Sequence, residues 1–353
     1  MNGKVLVGHD NGRICTVDVN GNEHTTQNVS HHDGEAWGLE VISKKGTFLT
    51  SADDNEFHEY SIRNKKHIRS GKIWTKEMNG GNAYETKKIK STASTLSDYP
   101  PHQQGRAIAY SSHHSHVAVS NNHGDIFIYD YNDFSVRIAT LLHPREWCEV
   151  MKYSPDGKFL AVGAHDDTVY IYSVSQKGDY ALHTKFEYIH SSAITAMDWT
   201  LDSVYMRVID QAYGKQFYDI IKSEPVDDDV GNLTDTTLWS SLTCKLGWEV
   251  AGVFPIGTDG TDVNSVDINS NQSLIAAADD FGSLNVYRFP CVKNTQDCRR
   301  IGGHSEHVTR VKFYENSDDK SNECIITAGG MDRTYIQWKA VAVPPKDSDK
   351  QIL

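Results

Sequence analysis

Three observations predict an all-β chain folded as a β-propeller, a ring of blades each made from one short antiparallel sheet. The same phrase recurs at residues 35–62, 105–131, 147–174, 193–220, 262–289 and 307–339. Its compact copies start about 42 to 46 residues apart, the length of chain that one four-stranded blade takes up. Within each copy, apolar and polar residues alternate with the period of two that strands show, interrupted by Gly, Asp, Asn and Ser clusters that turn the chain.

Residues 147–174, WCEVMKYSPDGKFLAVGAHDDTVYIYSV, display the phrase most plainly. Val150–Tyr153 reads as the strand nearest the ring axis and Ser154-Pro-Asp-Gly157 as a tight turn. Phe159–Gly163 follows as the second strand, His165-Asp-Asp167 as the second turn and Val169–Val174 as the third strand. Proline presets the φ of such a turn and glycine accepts the positive φ that closes it. Two copies begin about 70 residues after their predecessors, so insertions are placed at about 63–104 and 221–261, between blades that keep the same period.

The opening departs from the pattern. Residues 4–19, KVLVGHDNGRICTVDV, match the second and third strands of a blade with no inner strand before them. Counting this piece gives about seven blades of four-stranded sheet, the first incomplete, within the four to eight that commonly close a ring. Residues 1–340 are therefore read as one propeller and 341–353 as a tail. The missing strand is expected from that tail, where Val341–Val343 offers a short piece, from another chain, or from an upstream propeller.

The last copy carries the complete hydrogen-bonding set of the WD40 repeat. His304 follows Gly303, Thr327 lies on the second strand, Asp332 sits in the tight turn and Trp338 ends the third strand. An imidazole held between a carboxylate and a hydroxyl that also takes the indole N–H satisfies four polar groups together. The repeat explains these residues as structure, so His304 and Asp332 are not read as a catalytic dyad. His31-His32 stands in the corresponding slot of its own copy.

Composition narrows the function classes. Aromatics supply 10% of the chain although all hydrophobics reach only 38%, which suits short strands and many polar turns better than a large helical core. A net charge of −12 speaks against nucleic acid or an anionic membrane as partner. No stretch approaches the roughly 18 apolar residues of a membrane span, and the start MNGKVLVGHDNGR lacks the apolar centre of a signal peptide. Cys15, Cys148, Cys244, Cys291, Cys298 and Cys324 are scattered without a Cys-x-x-Cys pair, so the expectation is a reducing, cytoplasmic setting.

Constellations that resemble chemistry have plainer readings. His113, His114 and His116 lie between the first two strands of a copy and read as a solvated hairpin; zinc would need a fourth ligand and a suitable geometry. Asp53-Asp54, Asp166-Asp167 and Asp279-Asp280 recur at one position of different copies, as turn acceptors do, whereas glycosidase carboxylates act as a single pair. Asp227-Asp228-Asp229 lacks the spacing of a calcium loop, and Asn79-Gly-Gly-Asn82 lacks the Lys-Ser/Thr of a phosphate loop. No Gly-x-Ser-x-Gly elbow occurs, and no set of acids or metal ligands destined for a central channel is read from the sequence. The expectation is a non-enzymatic protein with no cofactor and no metal.

A more specific phrase lies at Thr243–Val266, TCKLGWEVAGVFPIGTDGTDVNSV. It resembles the echinoderm microtubule-associated protein-like (EMAP-like) family, in which an LGF-type segment precedes W-P-x-G-S-D-G-T-D-I-N-A-V. Phe254-Pro255 stands here in place of Trp-Pro, and Thr258 in place of serine. Asp279-Asp-Phe-Gly282, Phe289-Pro-Cys291, Gly302-Gly-His-Ser-Glu-His-Val308 and Gly34-Glu-Ala-Trp-Gly38 extend the likeness over nearly the whole chain, which is similar to the second of that family's two propellers. The family's upstream parts, a HELP motif, a first propeller and a coiled-coil or basic region, contribute trimerisation and much of its microtubule affinity and are not read in these residues.

The resemblance implies a microtubule-associated structural protein that decorates or stabilises microtubules, cytoplasmic or built into the ciliary axoneme. Its implied partners are tubulin and other axonemal or cytoskeletal proteins. The reading from another class is a general WD40 scaffold without tubulin contact. Charge supports the first. Residues 63–90 gather Arg63, Lys65, Lys66, His67, Arg69, Lys72, Lys76, Lys87, Lys88 and Lys90 on a connection expected to project from the ring. Such an arm would be drawn to the acidic surface of tubulin by an attraction that falls with salt. Trp239, Trp248 and Phe254, in the second insertion, are expected to find burial by packing back on the ring.

Overall fold

The computed structural model describes residues 32–73, 103–227, 230–254, 257, 260–315 and 324–339, and gives three strands near the start by their backbone. Those three, β1 (Lys4–Gly8), β2 (Arg13–Asp18) and β3 (Glu23–Asn28), pair in order as an antiparallel sheet.

Six blades follow. Blade 1 is β4 (Ala36–Ile42), β5 (Thr47–Ala52), β6 (Glu56–Ser61) and β7 (Lys66–Lys72). Blade 2 is β8 (Gly105–Ser111), β9 (His116–Asn121), β10 (Ile126–Asp130) and β11 (Asp133–Leu141). Blade 3 is β12 (Cys148–Tyr153), β13 (Phe159–Ala164), β14 (Val169–Val174) and β15 (Tyr180–Phe186). Blade 4 is β16 (Ile194–Trp199), β17 (Tyr205–Asp210), β18 (Lys215–Asp219) and β19 (Glu224–Val226). Blade 5 is β20 (Val263–Ile268), β21 (Leu274–Asp279), β22 (Ser283–Arg288) and β23 (Cys298–Gly302). Blade 6 has three described strands, β24 (Val308–Tyr314), β25 (Cys324–Gly329) and β26 (Tyr335–Lys339). In each blade the first strand lies nearest the axis. Antiparallel order puts the β4–β5 and β6–β7 turns, and their equivalents, on one face of the disc, here called lower. The β5–β6 type of turn and the blade-to-blade connections lie on the upper face.

The core sits between blades, and the period of two explains why. In blade 3, Leu160, Val162, Tyr170 and Tyr172 join the apolar cluster shared with blade 2. Their alternating neighbours Phe159, Ala161, Val169 and Ile171 join the cluster shared with blade 4. One sheet thus serves two cores, so a strand such as Val169-Tyr-Ile-Tyr172 is buried throughout. Each large side chain removed from water this way contributes about 1.5–3 kcal/mol. The Ser154–Gly157 turn also meets its neighbour: Gly157 has φ 73°, and a Cβ there would lie 2.5 Å from the His113 ring of blade 2.

The ring closes with six blades, which corrects the expected seven. Inner strand β24 packs directly on β4. Ala36 N donates to the Gly330 carbonyl (3.1 Å) and Thr309 Oγ1 to the Ala36 carbonyl (2.9 Å). Two ion pairs, His307–Glu35 (2.8 Å) and Arg333–Asp33 (3.0 Å), span the same seam. The blade-like opening therefore forms a separate sheet, β1–β3, with three strands among the described residues. The tail at 341–353 lies outside those residues.

The second insertion enters the ring between blades 4 and 5. Inner strands pack neighbour on neighbour at β4–β8, β8–β12, β12–β16, β20–β24 and β24–β4, whereas residues 238–245 enter between β16 and β20. Ser240 N donates to the Trp199 carbonyl (2.9 Å), Leu201 N to the Leu238 carbonyl (2.8 Å), and Lys245 Nζ reaches the Val263 carbonyl at the start of β20. Trp239 is buried with Phe217, Leu233 and Leu242 against blade 4, while Val250 and Val253 join the core of blade 5. This wedge packs on the ring, although Trp248 remains half exposed.

One carboxylate clamps the wedge. Asp198 on β16 is fully buried and accepts from Lys152 Nζ (2.9 Å), Arg207 Nε (3.1 Å), Ser241 Oγ (2.6 Å) and the backbone N–H groups of Thr243 and Cys244 (both 2.9 Å). Burial would raise its pKa, but the charges of Lys152 and Arg207 outweigh burial and hold it far below the usual carboxylate range. Arg207 in turn donates to Glu249 (2.5 Å) and lies over the Trp239 ring.

Candidate functional site

The repeat network of blade 6 has His304 Nδ1 donating to Asp332 (2.8 Å), Thr327 Oγ1 2.7 Å from His304 Nε2, and Trp338 Nε1 donating to Thr327 Oγ1 (2.8 Å). Burial would raise the Asp332 pKa, but His304 and the hydrogen bonds from Thr334 together outweigh it and the net shift is downward. Other blades keep variants of this set. In blade 1, His32 bonds Asp54 (2.8 Å) and Thr50 (2.9 Å). In blade 4, valine replaces the threonine at position 208, and Tyr218 supplies the hydroxyl to His190 Nε2 (2.9 Å) while Asp210 takes Nδ1 (3.0 Å). In these three blades the imidazole is engaged on both nitrogens and acts as a fastening.

The metal-like groupings are engaged within the ring as well. His32, Asp54 and His58 offer donor atoms within 4.8 Å of one another, yet both His32 nitrogens already serve the repeat network. His114 Nε2 bonds the Gly157 carbonyl (3.2 Å) and His116 bonds the Tyr180 hydroxyl (3.0 Å), so this histidine turn fastens blade 2 to blade 3. Among the paired aspartates, Asp279 takes the turn N–H groups of Phe281 and Ser283 (3.0 and 2.8 Å) and Asp54 that of Glu56 (3.1 Å), whereas Asp166 takes Arg145 N (2.8 Å) from the preceding connection and Asp53 the Trp37 indole N–H (3.1 Å).

The basic residues divide. Lys66–Lys72 form the outer strand β7 instead of a projecting connection. Arg69 is engaged within the ring: it donates to Glu59 (2.7 Å) and to the carbonyls of Asn132 (2.9 Å) and Tyr131 (2.5 Å), and it lies over the Phe134 ring at 4.1 Å. Lys66 and Lys72 are exposed on β7, and Arg63 and Lys65 on the adjoining lower-face turn. With Lys44, Lys45 and Lys339, Arg63 and Lys65 line a groove of about 500 Å³ between blades 6 and 1, whose one lining carboxylate among the described residues is Glu315. Lys76, Lys87, Lys88 and Lys90, like Asp228 and Asp229, lie outside the described residues.

A second feature, not anticipated from the sequence, comes from the inner strands. Each of the six breaks register with its partner near the upper face, skipping residue 37 in β4, 106–107 in β8, 149 in β12, 195 in β16, 264 in β20 and 309 in β24. A bulge leaves its extra residue out of the ladder and re-aims its side chain. Here Trp37, Glu149, Thr195 and Asn264 come together at the upper mouth of the axis, where they line a 240 Å³ cavity with Trp147, His165, Asp210, Tyr213 and Lys245. Trp37 and Trp147 meet edge to face at 5.9 Å, His165 stacks on Trp147 at 3.5 Å, and the Arg106 guanidinium lies over Trp37 at 4.8 Å. Glu149 accepts from Arg310 (2.7 Å) and bonds His165 (3.2 Å). Burial would raise its pKa, but Arg310 and the His165 hydrogen bond overcome that and bring it to about 2.

Three residues further along the inner strands stand Glu40, Lys152, Asp198, Asp267 and Lys312. Glu40, Lys152 and Lys312 line a narrow cavity of about 80 Å³ along the axis, which corrects the expectation of a channel without a charged set. Burial raises the pKa of Glu40 and of Asp267 against the attraction of Lys312, while Lys312 is itself raised because those two carboxylates outweigh its burial. Lys152 is the close partner of Asp198 (2.9 Å), so three carboxylates share two ammonium groups along the axis.

Comparison with known proteins agrees with this architecture. Residues 36–340 match the family described as echinoderm microtubule-associated protein second beta-propeller. The chain is 37% identical over 344 residues to the ciliary WD repeat-containing protein ctxp80 of Euplotoides octocarinatus, covering 96% of this chain and 44% of that protein. It is 31% identical to the 77 kDa echinoderm microtubule-associated protein of Strongylocentrotus purpuratus (95% and 43% covered) and 32% identical to echinoderm microtubule-associated protein-like 4 of Homo sapiens (89% and 28%). The chain thus spans less than half the length of these relatives. It belongs to the echinoderm microtubule-associated protein family and corresponds to the second β-propeller of that family.

Proposed function

We propose that this propeller is a non-catalytic, microtubule-associated structural protein that decorates or stabilises microtubules, in the cytoplasm or in a ciliary axoneme. The observation that carries the reading is the family match over residues 36–340, together with 37% identity to a protein named as ciliary. The lower-face groove supports it. Lys44, Lys45, Arg63, Lys65 and Lys339 concentrate positive charge on a chain of net −12, and an acidic tubulin surface is the complement of such a patch. A stiff ring also suits a lattice because several weak contacts add when made together.

Pelleting with purified microtubules tests this. The chain should cosediment at low salt, lose binding steeply as salt rises, and lose most of it when Lys44, Lys45, Arg63 and Lys65 are changed to glutamate together. The competing reading, a scaffold for other proteins without tubulin contact, is favoured by the acidic and aromatic upper mouth. Failure to pellet at low salt would select it.

A further inference from the structure

The lower groove holds cations that the fold leaves unmatched. Lys44 and Lys65 are exposed, and among the described residues neither side chain has a hydrogen-bond or ion-pair partner. The Lys45 ammonium lies over the Tyr131 ring at 4.4 Å, a contact that leaves its charge in place. The two turns that carry these residues are joined by the backbone, with Ile62 N donating to the Gly46 carbonyl (2.9 Å). Two serines, Ser43 and Ser61, line the same groove. Ser61 Oγ already accepts from Asn64 N (3.2 Å), whereas Ser43 Oγ makes no hydrogen bond among the described residues. Ser43 is half-buried and opens the short turn 43–46, followed at once by exposed Lys44 and Lys45. That turn stands clear of its surroundings: Gly46 closes it at φ 66°, and a Cβ added there would meet nothing within 4 Å.

We infer that Ser43 is a phosphorylation site, modified by a protein kinase that selects basic residues after its acceptor, and that the phosphate switches the groove off; this rests on the groove's being the contact for an acidic partner, as proposed above. Lys44 and Lys45 in sequence, with Arg63 and Lys65 on the adjoining turn, are the cationic surroundings that an acidic kinase cleft selects. In the reaction the Ser43 oxygen bonds the γ-phosphorus of ATP and the bond from that phosphorus to its bridging oxygen breaks. ADP leaves, and the hydroxyl proton passes to the kinase. Phosphoserine carries about −1.5 to −2 at neutral pH, with three acceptor oxygens. Five cations and one carboxylate give the groove a net charge of plus four among the described residues, and the phosphate lowers it to about plus two. Lys44 and its neighbours then turn to the phosphate in charge-assisted hydrogen bonds. An arriving carboxylate meets paired cations and a fixed charge of its own sign.

The test compares three forms of the whole chain: unmodified, carrying phosphate on Ser43 introduced during synthesis, and carrying it instead on Ser191, an exposed upper-face residue. A labelled octaglutamate peptide, followed by fluorescence anisotropy at about 0.05 M salt, reports on the groove, and pelleting reports on the microtubule lattice. Phosphate on Ser43 should weaken octaglutamate at least about tenfold, and phosphate on Ser191 less than about twofold. A serine kinase that selects lysine or arginine two residues beyond its acceptor, given Mg²⁺ and ATP, should modify the unmodified chain on Ser43, as read by mass spectrometry. Unchanged octaglutamate affinity with phosphate on Ser43, no octaglutamate binding by the unmodified chain, or phosphate placed elsewhere with Ser43 unmodified would each overturn the assignment. Loss of octaglutamate binding with pelleting unchanged would uphold the phosphate switch and overturn the groove as the lattice contact, so the two failures are distinct.

Discussion

Replacing Asp198 by alanine should loosen the wedge that completes the ring. The carboxylate is fully buried and takes hydrogen bonds from two cations, two hydroxyls and two backbone N–H groups. Arg207 retains Glu249, and Lys152 retains the hydroxyls of Ser241 and Thr243 (2.9 and 2.7 Å), so part of the charge remains compensated. The Thr243 and Cys244 N–H groups lose their partner outright, at about 1–3 kcal/mol for each group left dry. The whole change is therefore expected near the ~3–5 kcal/mol of a buried pair broken from one side. Against a typical stability of ~5–15 kcal/mol this is large. Urea unfolding followed by tryptophan fluorescence reads it, since Trp239 is buried under Arg207 in the same wedge. The variant should lose stability by that amount, while Glu146→Ala, at an exposed site, should change it by less than about 0.5 kcal/mol. A loss below about 1 kcal/mol for Asp198→Ala would refute the clamp.

Three further outcomes are expected. Thr327→Val removes the hydroxyl shared by His304 and Trp338 and should cost about 1–3 kcal/mol in a thermal or urea melt. Glu149 has a folded pKa of about 2 against 4.5 when free, so its stabilisation is full above pH 4.5 and lost as pH falls toward 2; Glu149→Gln should flatten the stability profile in that window. Glu40 is shifted the other way, so its benefit belongs to the protonated form and is lost as pH rises through its raised value. Glu40→Gln should then melt higher than the parent at pH 7 and equal to it below about pH 4.

The ring was legible because its signals are local. Turn residues such as Ser154-Pro-Asp-Gly157 and the alternation in Val169–Val174 set each blade from its own sequence, and the His304 network follows from residue types at fixed offsets. The blade count was not, because residues 4–28 carry strand and turn signals as good as any blade, while closure depends on β24 meeting β4 across the seam. The insertion at 221–261 showed its aromatics but not that it would wedge between blades 4 and 5, which rests on Asp198, a residue distant in sequence from Ser241 and Thr243. The mouth and the charged axis were missed for a related reason. Trp37, Glu149, Thr195 and Asn264 share no motif; they share only a position in the repeat, as do Glu40, Lys152, Asp198, Asp267 and Lys312. Aligning the inner strands copy against copy would have revealed the charged column, though the bulges that aim the mouth residues have no residue-type signature. Arg69 illustrates the opposite error, a basic residue counted toward a partner that in fact ties blade 1 to blade 2.

The most direct measurement is an image of microtubules decorated with this chain, at a resolution that distinguishes the two faces of the disc. The lower face should lie against tubulin, with the turns at 43–46 and 62–65 nearest the lattice and the Trp37–Trp147 mouth turned away. An undecorated lattice at low salt, or a disc bound through its acidic upper face, would contradict it.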